Sequence, residues 1–206
     1  MYKKFGKRLF DIIGALIILP VFLILLIPVG IGIWVSDRGS IFYNAKRLGK
    51  DGKVFTMYKF RSMKMNAPDL RNEDGSTYNG EDDPRLTKIG KFIRKTSIDE
   101  LPQVINILKG DMSFIGPRPD LPGAIDDYNK EDIRKLEVRP GITGYNQAYF
   151  RNSVTQDKKF KNDVYYVKNI NFVFDIKILF KTIGSVIKKD NIFVDNIDNH
   201  NKSHTL

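Results

Sequence analysis

The apolar positions of this 206-residue chain are concentrated in one segment near the N-terminus. From Ile12 to Val35 almost every residue is apolar, and about two dozen such residues can cross a hydrocarbon layer of about 30 Å as a helix. The pattern predicts a membrane helix within residues 1–38 and a separate domain in residues 39–190. The polar tail, residues 191–206, is expected to be disordered.

Two features of the apolar segment indicate how it enters the membrane. Pro20 and Pro28 each remove a backbone donor, which predicts a kinked or broken helix. Both flanks are basic, and basic flanks prefer the cytoplasmic side. The flanking cations are Lys3, Lys4, Lys7 and Arg8 before the segment and Arg38, Lys46, Arg47, Lys50 and Lys53 after it. We therefore favour a re-entrant hairpin, helix-break-helix, over a single span, which would leave one basic flank on the outer side.

Residues 40–84, 114–122 and 139–144 are predicted to form short strands, turns and loops. Residues 40–43 and 54–58, around a turn at 49–52, predict a small β-hairpin. The polar stretch 66–84 predicts a long loop. Segment 114–122 is rich in proline and predicts extended or turning chain, and residues 139–144 predict another turn.

Three segments of the chain show helical periodicity. Residues 86–95 predict an amphipathic basic helix with Ile89, Phe92 and Ile93 on one face, and residues 101–108 predict a second helix that Gly110 ends. Residues 174–188 are amphipathic and basic, which is typical of a helix lying on a membrane surface. The predicted fold class is therefore α+β, mostly helical and membrane-associated, with interfacial amphipathic helices.

Composition narrows the chemistry. The net charge of +10 implies anionic partners, whether nucleic acid, a lipid surface or phosphorylated substrates. The chain has no cysteine, which excludes disulfides and thiolate sites, and its two histidines lie in the tail. Carboxylates and cations are therefore expected to supply the chemistry.

The most informative polar run is Arg94–Gln103, which contains Asp99 and Glu100. One interpretation is structural, because Ser97 and Glu100 have the spacing of a capping box, or Asp99 itself caps the second helix with Pro102 in its first turn. The other is functional, because a helix start and neighbouring cations keep a carboxylate ionised and attract phosphate. Adjacent helical residues diverge by about 100°, so a bound cation or substrate would have to unite the two carboxylates.

Further cations are candidates for binding an anion. Arg118 is held between two prolines, which suits a guanidinium to bidentate phosphate contact, although a solvated turn is the alternative. Lys59 and Arg61 would share one face of a strand. The acidic run 81–83 is an alternative site for a divalent cation, as in metal-dependent glycosyltransferases.

Seven motifs in the same order resemble those of the bacterial sugar transferases, and more narrowly a small monotopic phosphoglycosyl transferase. They are Lys7–Asp11, Tyr58–Met63, Asp83–Arg85, Ser97–Gln103, Lys109–Pro119, Val138–Gly144 and Asp163–Asn169. The chain departs from the family pattern in two places. The Ser-Pro pair usual in the membrane helix is absent, and Tyr145–Arg151 replaces the usual Ala-Gln-Val-Asn-Gly-Arg, a segment that bears on sugar recognition.

The resemblance implies a re-entrant helix, a cytosolic catalytic domain in residues 39–190 and a two-step reaction at the cytoplasmic face of the bacterial inner membrane. The residue matching Asp99 attacks the sugar-bearing phosphate of a UDP-sugar, releases UMP and passes the phosphosugar to a polyprenyl phosphate, usually undecaprenyl phosphate. Mg²⁺ is the implied cofactor, with Asp99 as a ligand. Glu100 matches the second catalytic member. Arg94 and Arg118 match positions that contact phosphate or the nucleotide, and Arg139 matches a nearby basic position. Together with Lys59, Arg61 and Arg85, they are the predicted substrate-binding residues.

The expected partners are thus UDP-sugar, polyprenyl phosphate, membrane lipids and downstream glycosyltransferases, without nucleic acid. Two rivals remain. One is a single-span anchor carrying a domain that binds nucleic acid, although aromatic and basic residues are too dispersed to outline such a surface. The other is a metal-dependent transferase of a bare sugar that uses residues 81–83 and releases UDP.

Overall fold

A computed structural model describes residues 2–70, 78, 80, 82–150 and 154–188, except for the side chains of residues 4 and 186–188. The predicted disorder of residues 191–206 lies outside this part of the chain. The described residues form helices α1 (Lys7–Asp37), α2 (Lys88–Lys95), α3 (Gln103–Lys109), α4 (Tyr145–Tyr149), α5 (Gln156–Asn169) and α6 (Phe172–Lys188), with strands β1 (Phe42–Leu48), β2 (Val54–Phe60), β3 (Ser113–Ile115) and β4 (Gly141–Thr143). The predicted α+β, mostly helical fold class is confirmed.

Helix α1 contains the apolar segment. Among the described residues it is the one helix that is long and apolar enough to cross a membrane. It continues through Pro20 and Pro28 as a single helix without a break, and the kink that the prolines predict stays a prediction. Most of its large apolar side chains are exposed, including Ile17, Ile24 and Ile27. The re-entrant hairpin stays a prediction.

Polar contacts attach the first turns of α1 to the rest of the domain. The guanidinium of Arg8 donates to the last carbonyls of α3, at 2.5 and 2.9 Å. The carboxylate of Asp11 accepts from the hydroxyl of Ser113 at 2.9 Å and from the backbone N–H of Phe114 at 3.0 Å. These contacts account for part of the Lys7–Asp11 motif, because they fix the start of α1 against α3 and β3.

The other end of α1 is attached to the same domain. Asp37 pairs with the guanidinium of Arg61 through both carboxylate oxygens, at 2.5 and 2.6 Å. Between the two ends, the ring of Phe22 lies 6.0 Å from that of Phe60 in the main core. Helix α1 therefore contacts one and the same domain near its start, its middle and its end.

The predicted β-hairpin is confirmed and is longer than expected. Strands β1 and β2 pair antiparallel from Phe42 opposite Phe60 to Leu48 opposite Val54. The rings of Phe42 and Phe60 stack at 5.5 Å on one face, and Ala45 and Met57 on the opposite face are also buried in the main core. The opposite face carries Lys59, which pairs across the strands with Tyr43.

Helices α2 and α3 follow the predicted pattern closely. Thr87 caps α2 by accepting from the N–H of Gly90 at 2.9 Å. Gly110 ends α3 in a left-handed conformation, with φ of 91°, as predicted. Ile93 is fully buried, but Phe92 is 57% exposed and does not share the buried face as predicted.

The segment predicted as a turn at 139–144 contains a strand instead. Strand β4 pairs in parallel with β3, with Ser113 opposite Gly141 and Ile115 opposite Thr143. Glycine is required for this close approach, because a Cβ on Gly141 would lie 2.2 Å from the backbone N of Gly116. The sequence pattern indicated the turn-forming residues. The strand pairing was missed because it joins segments 28 residues apart in the chain.

Helices α5 and α6 cover this second pair of strands. Tyr166 and Ile178 are almost completely buried, and the Tyr166 hydroxyl donates to Asp175 at 2.8 Å. Lys7 also pairs with Asp175 at 2.7 Å, which joins α6 to the start of α1. On the outer side of α6, Val173 and Phe180 are exposed, and the placement of this helix on a membrane stays a prediction.

Candidate active site

Asp99 and Glu100 lie in a short 3₁₀ turn, Ile98–Glu100, between α2 and α3. Neither capping interpretation is correct. Ser97 makes no side-chain capping bond and adopts a left-handed conformation with φ of 57°, and α3 begins only at Gln103 without a side-chain cap. The backbone N–H of Glu100 instead bonds to the carbonyl of Ser97 at 3.2 Å. Both carboxylates are therefore free of capping roles.

The ammonium of Lys59 brings the two carboxylates together. Its Nζ lies 3.4 Å from Oδ2 of Asp99 and 2.9 Å from Oε1 of Glu100. The three side chains are only 16%, 7% and 19% exposed, respectively. The expectation that a bound cation or a substrate must unite the carboxylates is thus wrong, because the protein supplies that cation from β2.

Burial and charge act differently on the two carboxylates. Burial raises the pKa of Asp99, with a further rise from the neighbouring Glu100, while Lys59 and Arg94 oppose it. Burial would also raise the pKa of Glu100, but Lys59 and Arg118 together leave that pKa below its ordinary value. Neighbouring carboxylates with divergent pKa values are typical of catalytic sites. Glu100 is the more permanently charged group, and Asp99 carries the more basic oxygen.

Two predicted arginines accompany this cluster. Arg118 places Nη1 3.6 Å from Oε1 of Glu100 while its side chain stays 56% exposed, so its remaining donors are accessible to a ligand. Arg94 is half-buried on α2 and acts electrostatically on Asp99 and Arg118. We call Lys59, Arg94, Asp99, Glu100 and Arg118 the dyad cluster. Three cations surround two carboxylates here, which leaves a net positive site suited to an anionic substrate.

Arg61 is not brought to the dyad cluster. Besides the pair with Asp37 at the end of α1, its Nη1 donates to the carbonyl of Met63 at 3.1 Å, and its Nε donates to the carbonyl of Ser40. Strand β2 ends at Phe60, so Arg61 does not continue the strand face that carries Lys59. Its contacts hold α1 against the hairpin, and the predicted role in substrate binding has no support here.

Arg85 and Arg139 are also engaged elsewhere. Arg85 is buried and pairs with Asp83 through Nε at 2.9 Å and Nη2 at 2.7 Å, and it further donates to the carbonyl of Tyr78. Arg139 donates through Nε to the carbonyl of Gly110 at 2.7 Å, beside the end of α3. These contacts shape the surroundings of the site and give neither residue a contact with the carboxylates of the dyad cluster.

Two groups near the site escaped sequence reasoning. Arg47 lies on the hairpin face that carries Lys59, and burial and the charge of Arg118 lower its pKa, against opposing effects of Tyr43 and Asp120. Lys135 is buried between Asp120 and Asp163, at 2.6 and 2.7 Å. Strand alternation could have distinguished Arg47 from its neighbour Lys46, whereas no local pattern indicates Lys135.

The carboxylates of the dyad cluster are candidate ligands for Mg²⁺. Among the described residues, no group of three or more His, Cys, Asp or Glu side chains converges to hold a metal ion. Mg²⁺ is nevertheless commonly bound by one or two carboxylates together with substrate phosphates, and Asp99 and Glu100 supply two such carboxylates. The alternative at residues 81–83 is weakened because Asp83 is bound by Arg85, while residue 81 lies outside the described residues. The dyad therefore fits a metal that a substrate helps to bind.

The chain is similar to known proteins along most of its length. The family model described as "Bacterial sugar transferase" matches residues 2–189. The undecaprenyl-phosphate galactose phosphotransferase of Salmonella typhimurium is 41% identical over 205 residues, 93% of this chain and 42% of its own length. The galactosyl transferase CpsE of Streptococcus agalactiae is 42% identical over 196 residues, 88% of this chain and 42% of its own. The uncharacterized sugar transferase EpsL of Bacillus subtilis is 41% identical over 186 residues, 90% of this chain and 89% of its own.

The chain thus spans less than half the length of the Salmonella and Streptococcus relatives and most of the length of the Bacillus relative. The match covers α1, the dyad cluster and the helices around them. The chain belongs to the bacterial sugar transferase family.

Proposed function

We propose that this protein transfers a sugar 1-phosphate from a UDP-sugar to a polyprenyl phosphate, giving a polyprenyl-diphosphate-sugar and UMP. The observation that carries the proposal is the pair of buried carboxylates held by Lys59, with the accessible guanidinium of Arg118 beside them. The Salmonella relative supports the same reaction class, since it is named an undecaprenyl-phosphate galactose phosphotransferase. This would be the first membrane step of a bacterial glycoconjugate pathway.

In the first step, a carboxylate oxygen of Asp99 attacks the phosphorus that bears the sugar. A new P–O bond to Asp99 forms as the P–O bond to the uridylyl group breaks, and UMP leaves with the electron pair. Asp99 suits this role because its pKa is raised by burial, so its ionised oxygen is more basic than that of an ordinary aspartate. The product is a covalent aspartyl phosphosugar.

In the second step, an oxygen of the polyprenyl phosphate attacks the same phosphorus. The P–O bond to Asp99 breaks, and the carboxylate is regenerated. Glu100 stays ionised through both steps because Lys59 and Arg118 lower its pKa, and it keeps those cations in place. Lys59 and Arg118 can then stabilise charge that develops on the phosphoryl oxygens.

Mg²⁺ fits the proposal as cofactor, with Asp99, assisted by Glu100, as its protein ligand. Bound there, the ion would neutralise phosphate oxygens and favour departure of UMP. The side chains perform the remaining work, because Lys59 and Arg118 orient the phosphates and Asp99 supplies the nucleophile.

The same proposal places α1 in one leaflet with both ends at the cytoplasmic face of the inner membrane. Support comes from the attachments of Arg8 and Asp11 near one end of α1 and of Asp37 at the other, all to the same domain. A helix that crossed the membrane would carry one of these polar ends to the far side. The exposed apolar side chains of α1 would then contact lipid.

Product analysis tests this function. The purified chain would be incubated with undecaprenyl phosphate, Mg²⁺ and a panel of UDP-sugars, and the nucleotide product identified by chromatography. We expect UMP together with a lipid diphosphate sugar. Release of UDP with a lipid monophosphate sugar would instead identify transfer of a bare sugar, and the proposal would be rejected.

A further inference from the structure

Arg118 depends on its backbone for its position. Its side chain is more than half exposed, and its one ion-pair contact among the described residues is the 3.6 Å approach to Glu100. Pro117 and Pro119 restrict the backbone on either side of it. The location of the guanidinium therefore depends on how the loop formed by residues 116–120 is held.

The loop is fixed at both ends by backbone hydrogen bonds. The carbonyl of Pro117 accepts from the N–H of Gly141 at 2.9 Å, and the carbonyl of Asp120 accepts from the N–H of Leu48 at 2.9 Å. The cavity between the loop and residues 135–140 is only about 10 Å³, about enough for a single water. Because the loop packs against residues 135–140 with little empty space between them, a shift of these residues would move the loop.

The side chain of Asp120 anchors the loop to a buried group of charges. Its Oδ2 accepts from Nζ of Lys135 at 2.6 Å and from the hydroxyl of Tyr128 at 2.6 Å. Lys135 is 4% exposed and also pairs with Asp163 of α5 at 2.7 Å. We call Asp120, Lys135 and Asp163 the anchor cluster. It joins the loop of Arg118 to the 3₁₀ helix Asp132–Glu137 and to α5.

Buried ion pairs contribute little net stability, since the cost of desolvating the charges can exceed their attraction. A buried cluster can instead fix one geometry. Here one of its carboxylates lies two residues from Arg118, and the other lies on a separate helix. Replacing each carboxylate by an amide can therefore distinguish an effect on the stability of the fold from an effect on the position of Arg118.

We propose that Asp120, held by Lys135 and Tyr128, positions Arg118 for the phosphates of the nucleotide substrate. The inference rests on the proposed function, because it assumes that Arg118 contacts a nucleotide diphosphate. Asp120 itself touches no substrate, and its effect passes through the backbone of residues 118–120.

The test measures UDP binding by titration calorimetry on the full chain in detergent, beside the melting temperature of each variant. Asp120→Asn and Asp163→Asn each remove one negative charge from the same ammonium at almost the same distance. Both variants are expected to melt at similarly lower temperatures. UDP affinity is expected to fall about tenfold in Asp120→Asn and to stay near the wild-type value in Asp163→Asn.

A double-mutant cycle identifies Arg118 as the intermediary. In the Arg118→Gln background, Asp120→Asn should cause little further loss of UDP affinity, because the group that it positions is gone. If Asp120→Asn does not fold, Tyr128→Phe can take its place in the cycle, because it removes only a hydroxyl donor from the same carboxylate. The expected loss of UDP affinity is then smaller.

Three results would contradict the proposal, and a fourth would contradict the proposed function. Equal losses of UDP affinity in Asp120→Asn and Asp163→Asn would reduce the anchor cluster to a structural role. Additive effects of Asp120→Asn and Arg118→Gln would remove the link to Arg118. Wild-type protein that does not bind UDP would overturn the proposed function, whereas binding that depends on Arg118 but not on Asp120 would overturn this inference alone.

Discussion

The dyad cluster and the anchor cluster contain the same core, one lysine between two carboxylates, yet they differ in every respect that matters for chemistry. In the anchor cluster, Lys135 is 4% exposed and approaches its carboxylates to 2.6 and 2.7 Å. In the dyad cluster, Lys59 is 16% exposed and its contacts are 2.9 and 3.4 Å. The charges of the anchor cluster are enclosed and closely paired, whereas those of the dyad cluster are less closely paired and more accessible.

Their surroundings differ as well. Tyr128 and Phe160 present aromatic rings to Lys135, at 5.9 and 5.1 Å, and Lys159 adds positive charge near Asp163. Arg94 and Arg118 add positive charge around the dyad. A lysine with two carboxylates is therefore not diagnostic of a catalytic site. Exposure and excess positive charge distinguish the site that can accept a phosphate.

The largest expected contrast comes from replacing each lysine by methionine. Lys135→Met leaves two buried carboxylates without their cation and should lower the free energy of unfolding by about 3–5 kcal/mol. Lys59→Met should lower turnover at saturating UDP-sugar by about 100-fold or more, because it removes a charge that faces the phosphoryl group. Its effect on stability should be smaller, since Arg94 and Arg118 still face the dyad.

Denaturant unfolding and steady-state kinetics on both variants measure this contrast. Lys135→Met should retain a larger part of its turnover at saturating substrate than Lys59→Met does. If Lys59→Met were the less stable protein and the more active one, the assignment of the two clusters would be reversed.

Sequence reasoning succeeded where local pattern determines structure and failed where distant segments meet. The apolar helix, the β-hairpin and the end of α3 at Gly110 follow from short-range patterns and were predicted. The β3–β4 pairing and the buried Lys135 depend on segments far apart in the chain, so no local signal marks them. A parallel pairing between two proline- and glycine-rich segments is indistinguishable from two turns at the level of sequence.

The same distinction holds for the site. Resemblance to the family selected Asp99, Glu100 and Arg118, and the structure brings them within reach of one another. Arg61 and Arg85 were also predicted, because their charge is visible in the sequence, whereas their partners, Asp37 and Asp83, are not. Which arginines face a ligand and which hold the fold together depends on tertiary contacts.

The acid limb of the pH–rate profile tests whether Arg94 affects the pKa of Asp99. Asp99 acts as an ionised carboxylate, so activity is present above its pKa and is lost as the pH falls through it. Arg94 lowers this pKa, and Arg94→Gln should therefore move the acid limb to higher pH. Lys95→Gln removes the same charge from the next residue, which is exposed, and should leave the limb in place. An unchanged limb in Arg94→Gln would mean that another group limits activity in acid.

A smaller effect is expected at Arg47, which would extend the positive surroundings of the dyad along β1. Arg47→Gln should weaken UDP binding by several-fold, because the hairpin face that carries Arg47 also carries Lys59 and lies near Arg118. Lys46→Gln is the matched control, since Lys46 lies on the opposite face, where it donates to the hydroxyl of Thr56 at 2.9 Å. Equal UDP affinities for the two variants would limit the site to the dyad cluster.

The covalent step at Asp99 is the central claim, and a single-turnover experiment without lipid acceptor tests it most directly. With Mg²⁺ and an accepted UDP-sugar, the wild-type chain should release up to about one UMP per active site and then stop, with the phosphosugar found by mass spectrometry on the peptide that contains Asp99. Asp99→Asn should release none, while Glu100→Gln should form the adduct slowly. A stable adduct on Asp99→Asn, or on any residue other than Asp99 in the wild type, would contradict the account.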